Sequence, residues 1–337
     1  MVSRLAGHLH KSLKKWRRIL MTINPSEKKF FEMLAVLQQS SPAKPLSELT
    51  LEEWRCNTEA FFNNSDFTGE AANIPFQDSS IVVRDGYRVP IRIYNSDIKE
   101  IKSVLIFYPG CAYILDSFEV NAIAASRIAY HAGIKVIIVN HRLGPEHLMP
   151  GSTQDSYDVT KYIATHAKEF GVAPKKIFVG GISSGGHCAA AISNLARKDK
   201  SFSIHHQILL NMWLVDPAMR LKEFLPYEQE DKMANREALD FFIVQHKLTE
   251  QDLHNPLINP SLEKDLSGLP NATILVAEYD GIRSDSEIYH QCLVKAGNNV
   301  EKIVLPGQTH NTLILRKAMC DGRDPAEVVA EVIRKNS

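Results

Sequence analysis

Ile177-Phe178-Val179-Gly180-Gly181-Ile182-Ser183-Ser184-Gly185-Gly186-His187 is the stretch that decides the fold. Its apolar start reads as a buried strand, and the residues from His187 to Arg197 read as a helix. Between the two, Gly181, Ser183 and Gly185 spell G-x-S-x-G. Alone, that pattern fits an inert glycine-serine loop. Between a strand and a helix it describes a nucleophile elbow, a turn so sharp that only small neighbours fit, with the Ser183 hydroxyl exposed at the sheet's C-terminal edge. Ser184 then offers a backbone N–H at a helix N-terminus, where negative charge is stabilised.

Working outward, short apolar runs of the buried parallel type recur at 104–107, 136–139, 208–212, 273–276 and 302–305. Helical patterns lie between most of them, including 155–170, closed by Gly171, and a start at Asp324-Pro325. Ahead of these, alternating runs at 80–84 and 89–94 flank Asp85-Gly86, a hairpin signal. Residues 26–66 read as helical, with one helix in 27–37 and a second beginning near Leu51 behind the Thr50/Glu53 capping box. From 216 to 255 the alternation lapses into charged, aromatic, helical sequence, expected as an insertion over the C-terminal edge of the sheet. The fold class expected is α/β: a mostly parallel central sheet opened by an antiparallel hairpin, with helices on both faces.

The 337 residues, 44% of them hydrophobic, suffice for one large domain with insertions. Lys+Arg and Asp+Glu balance at 39 each, so nothing in the charge asks for nucleic acid. Cys56, Cys111, Cys188, Cys292 and Cys320 show no paired spacing and no His/Cys cluster. Neither a zinc site nor a disulfide framework is indicated, and a reducing compartment is expected. Residues 1–20 are basic without resembling a signal peptide, and no apolar run of membrane-spanning length occurs. A cytoplasmic location follows as the expectation. The basic segment reads as a solvated helix first and as a weak membrane-surface contact second.

A serine hydroxyl needs a base, a group to orient that base, and donors for the oxyanion. In sheets that carry such an elbow the partners follow in the order Ser, acid, His. Asp280 follows the run at 273–276, and His310 follows the run at 302–305. Both fall just past the C-terminal ends of strands, where such sheets place their sites. Glu278 and Asp285 are rival acids, and each residue alone has an ordinary loop explanation.

The chain resembles the hormone-sensitive-lipase-like branch of the α/β-hydrolases, which includes bacterial carboxylesterases and arylesterases. The stretch from Val139 to His147 (VNHRLGPEH) is close to that branch's Y-R-L-A-P-E-H, and Gly181 to Gly186 is similar to its elbow G-D-S-A-G-G. Segments 265–270, 280–283 and 306–310 match as well. This resemblance implies an α/β-hydrolase fold with a helical cap. The expected organisation is a basic segment and cap over 1–75, core over 76–216, cap insertion over 217–255 and core over 256–337. It further implies the triad Ser183, Asp280 and His310, a small-molecule ester substrate, and neither cofactor nor metal. Carried over by the match, the oxyanion donors are the N–H groups of Cys111, Ala112 and Ser184, with Gly110 at the loop's start.

Three departures stand out. Pro109-Gly110-Cys111-Ala112-Tyr113 occupies the place of the branch's H-G-G-G-F/W, Ile182 replaces the elbow aspartate, and Asn311 follows the histidine where glycine is usual. Weakened or substrate-restricted turnover is expected. Cys111 reads as a small packing residue rather than a reactive thiol, His187 and Cys188 as packing residues, and Arg142 with Glu146 as a structural ion pair. The first functional reading is a serine carboxylester hydrolase working through an acyl-enzyme. The alternative is a catalytically impaired member that binds a ligand or partner.

Overall fold

Strands with both faces covered bury every side chain, and alternate residues serve opposite layers. β3 (Val104–Tyr108) does this: Val104, Ile106 and Tyr108 join one core cluster, Leu105 and Phe107 the other. The computed structural model of the chain describes residues 48–62, 69–98, 103–173, 176–215, 220–224, 234, 236–314 and 321–337, besides Pro25 and Lys28. The basic segment at 1–20 and, apart from Lys28, the helix expected in 27–37 lie outside these residues.

One eight-stranded sheet runs in the order β1-β2-β4-β3-β5-β6-β7-β8. β1 (Phe76–Val82) and β2 (Arg88–Tyr94) form the expected antiparallel hairpin, with Gly86 at φ +86° in its turn. β2 pairs antiparallel with β4 (Lys135–Val139), and every later pairing is parallel. Those later strands are β5 (Ile177–Ile182), β6 (His206–Leu210), β7 (Asn271–Ala277) and β8 (Val300–Leu305).

α1 (Leu51–Phe62) starts where the capping box places it: Thr50 Oγ1 accepts the Glu53 N–H (3.1 Å), and Glu53 Oε2 accepts the Thr50 N–H (2.8 Å). α2 (Phe118–Ala132) and α8 (Pro325–Asn336) pack in one layer; α3 (Gly151–Thr165), α4 (Ser184–Asp199) and α7 (Arg283–Lys295) pack in the other. α8 is capped by Asp324, whose Oδ1 accepts the Ala326 N–H at 2.8 Å. α5 (Arg236–Gln245) and α6 (Glu250–Leu253) fall within the stretch expected as an insertion, and Trp54 of α1 meets the rings of Phe241 and Phe242 at 5.0 and 4.8 Å.

Several boundaries differ from expectation: β1 starts at Phe76 rather than near 80, and α3 and β6 are also displaced. α3 begins at Gly151, directly after Pro150, and ends at Thr165; Gly171, at φ +64°, closes the turns beyond it instead of the helix. β6 ends at Leu210, because Asn211 leaves the sheet at φ +44°. The ion-pair expectation also changes. Arg142 clasps Asp155 (2.7 Å) and Asp85 (2.7 Å), while Glu146 reaches Arg55 of α1 (2.8 Å). Asp155, on α3, is almost wholly buried and so needs the cation more than Glu146, which is 65% exposed. Among the described residues, no helix is long and apolar enough to cross a membrane, and no group of three or more His, Cys, Asp or Glu side chains could hold a metal ion.

Candidate active site

Ser183 stands between β5 and α4 with φ +57° and ψ −120°. For a residue with a Cβ this backbone is strained, at about 1–3 kcal/mol, and it persists where the surroundings over-determine it. Here they do. The Ser183 N–H donates to the Leu210 carbonyl (2.9 Å), and its own carbonyl accepts from His187 N (3.0 Å) and Trp213 N (3.2 Å). Gly181 and Gly185 are required by space: a Cβ on either would overlap the Tyr108 carbonyl oxygen at the end of β3. Gly110 is needed for the same kind of reason, since a Cβ there would lie 2.7 Å from Ile182 Cγ2 and 2.9 Å from the Ile182 carbonyl oxygen. Ile182, fully buried, fills the apolar cluster behind this loop with Phe107 and Leu210.

His310 Nδ1 lies 3.0 Å from Asp280 Oδ1, with both side chains buried. A carboxylate accepts, so the proton sits on Nδ1 and Nε2 keeps its lone pair. Asp280 Oδ1 also receives the Ile282 N–H (2.8 Å). The rival acids are otherwise engaged. Glu278 Oε2 accepts the Gly307 N–H (2.8 Å), and Asp285 holds Arg220 Nη1 (2.7 Å) and the Leu214 N–H (2.7 Å). Sequence position alone had left these three carboxylates in competition; their partners separate them.

The loop after β3 is built differently from the expectation at one point. The Cys111 N–H donates to Ser184 Oγ (2.9 Å), so a side chain already engages one of the three expected donors. The cause is the residue at 184: a serine hydroxyl reaches the loop where alanine, the residue of the resembling family, has no acceptor. The N–H groups of Ala112 and Ser184 have no acceptor among the described residues. Ala112 (φ +46°) and Tyr113 (φ +60°) take the left-handed conformation; Cys111 does not. Each costs about 1–2 kcal/mol. The Tyr113 hydroxyl, 2.6 Å from His187 Nδ1 and 3.0 Å from the Ser184 carbonyl oxygen, holds the loop against α4. Gly144 N donates to the Tyr113 carbonyl (2.7 Å). The loop's start is pinned by Asn121, whose Oδ1 accepts the Gly110 N–H (2.9 Å), and by Ser117 Oγ, which donates to the Gly110 carbonyl (3.0 Å).

Cys111 is 2% exposed, with Sγ 3.8 Å from His141 Nε2. Burial pushes its thiol up to about 12, so it stays protonated and packs as expected. His187 is more than filler, because its Nε2–H donates to the Ile258 carbonyl (2.8 Å) while Nδ1 faces Tyr113. Tyr113 belongs to the loop that the sequence singles out, whereas Ser117, Asn121 and Asn211 do not stand out in it. The available signal was weak: polar residues within otherwise apolar or helical runs.

Burial lowers His187, His206 and His246 from 6.5 to about 4 each. A group held neutral in the fold takes up its proton in the unfolded chain first. The stabilisation is therefore complete above pH 6.5, declines between 6.5 and 4, and is gone below 4. Each group adds up to about 1.4 kcal/mol per pH unit to that slope. The urea midpoint is expected to fall steadily from pH 7 to 4.5; a midpoint constant over that range would contradict it.

The sequence signature of a family described as alpha/beta hydrolase fold matches residues 105–314. An arylesterase of Saccharolobus solfataricus is 30% identical over 234 residues, 69% of this chain and 76% of that protein. An ethyl acetate hydrolase of Pseudomonas putida is 23% identical over 321 residues, 94% of this chain and all of that one. Among solved structures, a hyperthermophilic esterase from Pyrobaculum calidifontis superposes with a TM-score of 0.78 at 26% identity, covering 86% of this chain and 94% of the other.

Proposed function

Because the chain belongs to the alpha/beta hydrolase fold family, in its hormone-sensitive-lipase-like branch, we propose that it is a serine carboxylester hydrolase of short and medium acyl esters. His310 Nε2 takes the Ser183 proton as Oγ attacks the ester carbonyl. The N–H groups of Ala112 and Ser184 receive the developing oxyanion. His310 protonates the departing alcohol, then deprotonates the water that releases the acid from the acyl-enzyme. Asp280 keeps the imidazole in the required tautomer and stabilises its cation. α1 and α5, whose rings meet through Trp54, Phe241 and Phe242, belong to the cap in this reading.

The reading rests above all on the 3.0 Å bond between buried Asp280 and His310 at the end of the same sheet that carries the elbow. The names of the relatives support the ester class, and the ethyl acetate hydrolase supports a small acyl group. With the Cys111 N–H engaged by Ser184, two donors remain. One oxyanion donor is worth roughly a hundred- to a thousandfold in kcat, so turnover slower than that of a three-donor site is expected.

The direct test is stoichiometric labelling of Ser183 by a fluorophosphonate, with a p-nitrophenyl ester series from acetate to decanoate. Inertness to the probe would favour the ligand-binding alternative. Asp280→Asn is expected to lower kcat about ten-thousandfold, since the histidine would then present the wrong tautomer. Glu278→Gln, whose carboxylate serves the Gly307 turn, is expected to leave kcat largely intact. Equal losses in the two variants would remove Asp280 from its role.

A further inference from the structure

We propose that Asn211 is the positioning residue for His310, a side-chain amide that sets the histidine against the strand carrying its acid; this rests on the esterase reading above. Asn211 is fully buried at the end of β6 and turns out of the sheet at φ +44°. Its Nδ2 donates to the backbone carbonyl of His310 itself (2.6 Å), and its Oδ1 accepts the N–H of Ala277, the last residue of β7 (2.7 Å). Its own N–H continues the pairing to the Leu275 carbonyl (2.9 Å).

One planar amide thus ties the main chain of the base to the main chain three residues before Asp280. The acid is counted from the same point, because the Asp280 N–H donates to the Ala277 carbonyl (3.3 Å). The preceding residue, Leu210, takes the N–H of Ser183. Two consecutive residues at the tip of β6 therefore hold the nucleophile's backbone on one side and the histidine's on the other. The amide fits this place for definite reasons. It offers a donor and an acceptor in a fixed geometry, and asparagine tolerates left-handed backbone better than most residues with a Cβ. Aspartate would set oxygen against the His310 carbonyl oxygen, and an aliphatic residue would leave two buried backbone groups unpaired. The imidazole's 3.0 Å reach to Asp280 depends on where that carbonyl is held.

The test uses Asn211→Gly, which removes the amide and adopts the left-handed backbone without strain, and Asn211→Asp, which keeps the shape and the Ala277 bond but reverses the partner of His310. Active sites are titrated with a fluorophosphonate, and kcat is expressed per titrated site. A displaced general base costs roughly a hundredfold. Both variants are expected to lose about that much in kcat per site, with KM changed little and the labelling rate falling in parallel. Should Asn211→Gly fail to fold, the aspartate variant carries the test alone. Wild-type kcat per site in a folded variant, even with fewer competent sites, overturns the inference by making the role structural. Ser183→Ala is run beside them. If it is inactive while the Asn211 variants turn over normally, only this inference falls; if it is fully active, the esterase reading falls and takes the inference with it.

Discussion

Ser183→Ala is expected to lower kcat for p-nitrophenyl acetate by as much as about a million-fold, the full worth of a triad acting as a unit. The neighbouring hydroxyl cannot stand in. Ser184 Oγ is buried and accepts the Cys111 N–H, so it faces the loop after β3. Cys111 cannot stand in either, because burial keeps its thiol protonated. The substitution leaves the fold in place, since the elbow is held by main-chain bonds to Leu210, His187 and Trp213 that do not involve the serine side chain. A melting temperature near that of the wild type, with turnover reduced to the small remainder that binding and the oxyanion donors supply, is the expected pair of results. Wild-type turnover in the alanine variant would mean that ester cleavage, if present, occurs elsewhere.

Gly185→Ala carries the second large effect, and it acts on stability before activity. A Cβ at this position would overlap the Tyr108 carbonyl oxygen, lie 2.8 Å from the Tyr108 carbonyl carbon and approach the Pro109 carbonyl oxygen at 3.0 Å. All three atoms are backbone, at the junction of β3 with the loop after it, so no rotamer change relieves the clash. Overpacking of a well-filled interior costs about 1–3 kcal/mol, and a collision between two backbones at a strand end belongs at or above the top of that range. Loss of soluble protein, or a melting temperature lowered by many degrees, is expected. Gly86→Ala is the matched contrast. Its φ is +86° but its surroundings are open, so it should cost only about 1 kcal/mol from backbone strain. If the two alanine variants melt alike, close packing is not what fixes a glycine at 185.

Much of the site could be read along the chain because its chemistry is tied to local signals. The elbow announces itself through small residues between a strand and a helix, and Asp280 and His310 through their places after the last two strands. What could not be read is how neighbouring groups share hydrogen bonds. Glu278 directly follows the end of β7, and Asp285 lies farther on, in α7; their partners, Gly307 and Arg220, engage both away from His310. Arg142 and Glu146 are close in sequence yet pair with Asp155 and Arg55, contributed by other elements. Residue 184 shows the same limit. A serine there reads as a donor of its own N–H, whereas its hydroxyl's capture of the Cys111 N–H depends on how closely α4 approaches the loop after β3.

By itself the sequence determined the α/β class, the hairpin that opens the sheet, the capped starts of α1 and α8, and the residue types set at the strand ends. Periodicity, turn chemistry and capping act over a few residues, so a linear reading contains them. Tertiary structure alone decided which groups engage the carboxylates rivalling Asp280, that the Cys111 N–H is taken by the Ser184 hydroxyl, and that Asn211 links His310 to the strand ahead of Asp280. Those outcomes follow from distances of about 3 Å between segments far apart in the chain, where a donor with one hydrogen serves whichever acceptor the packing brings nearest.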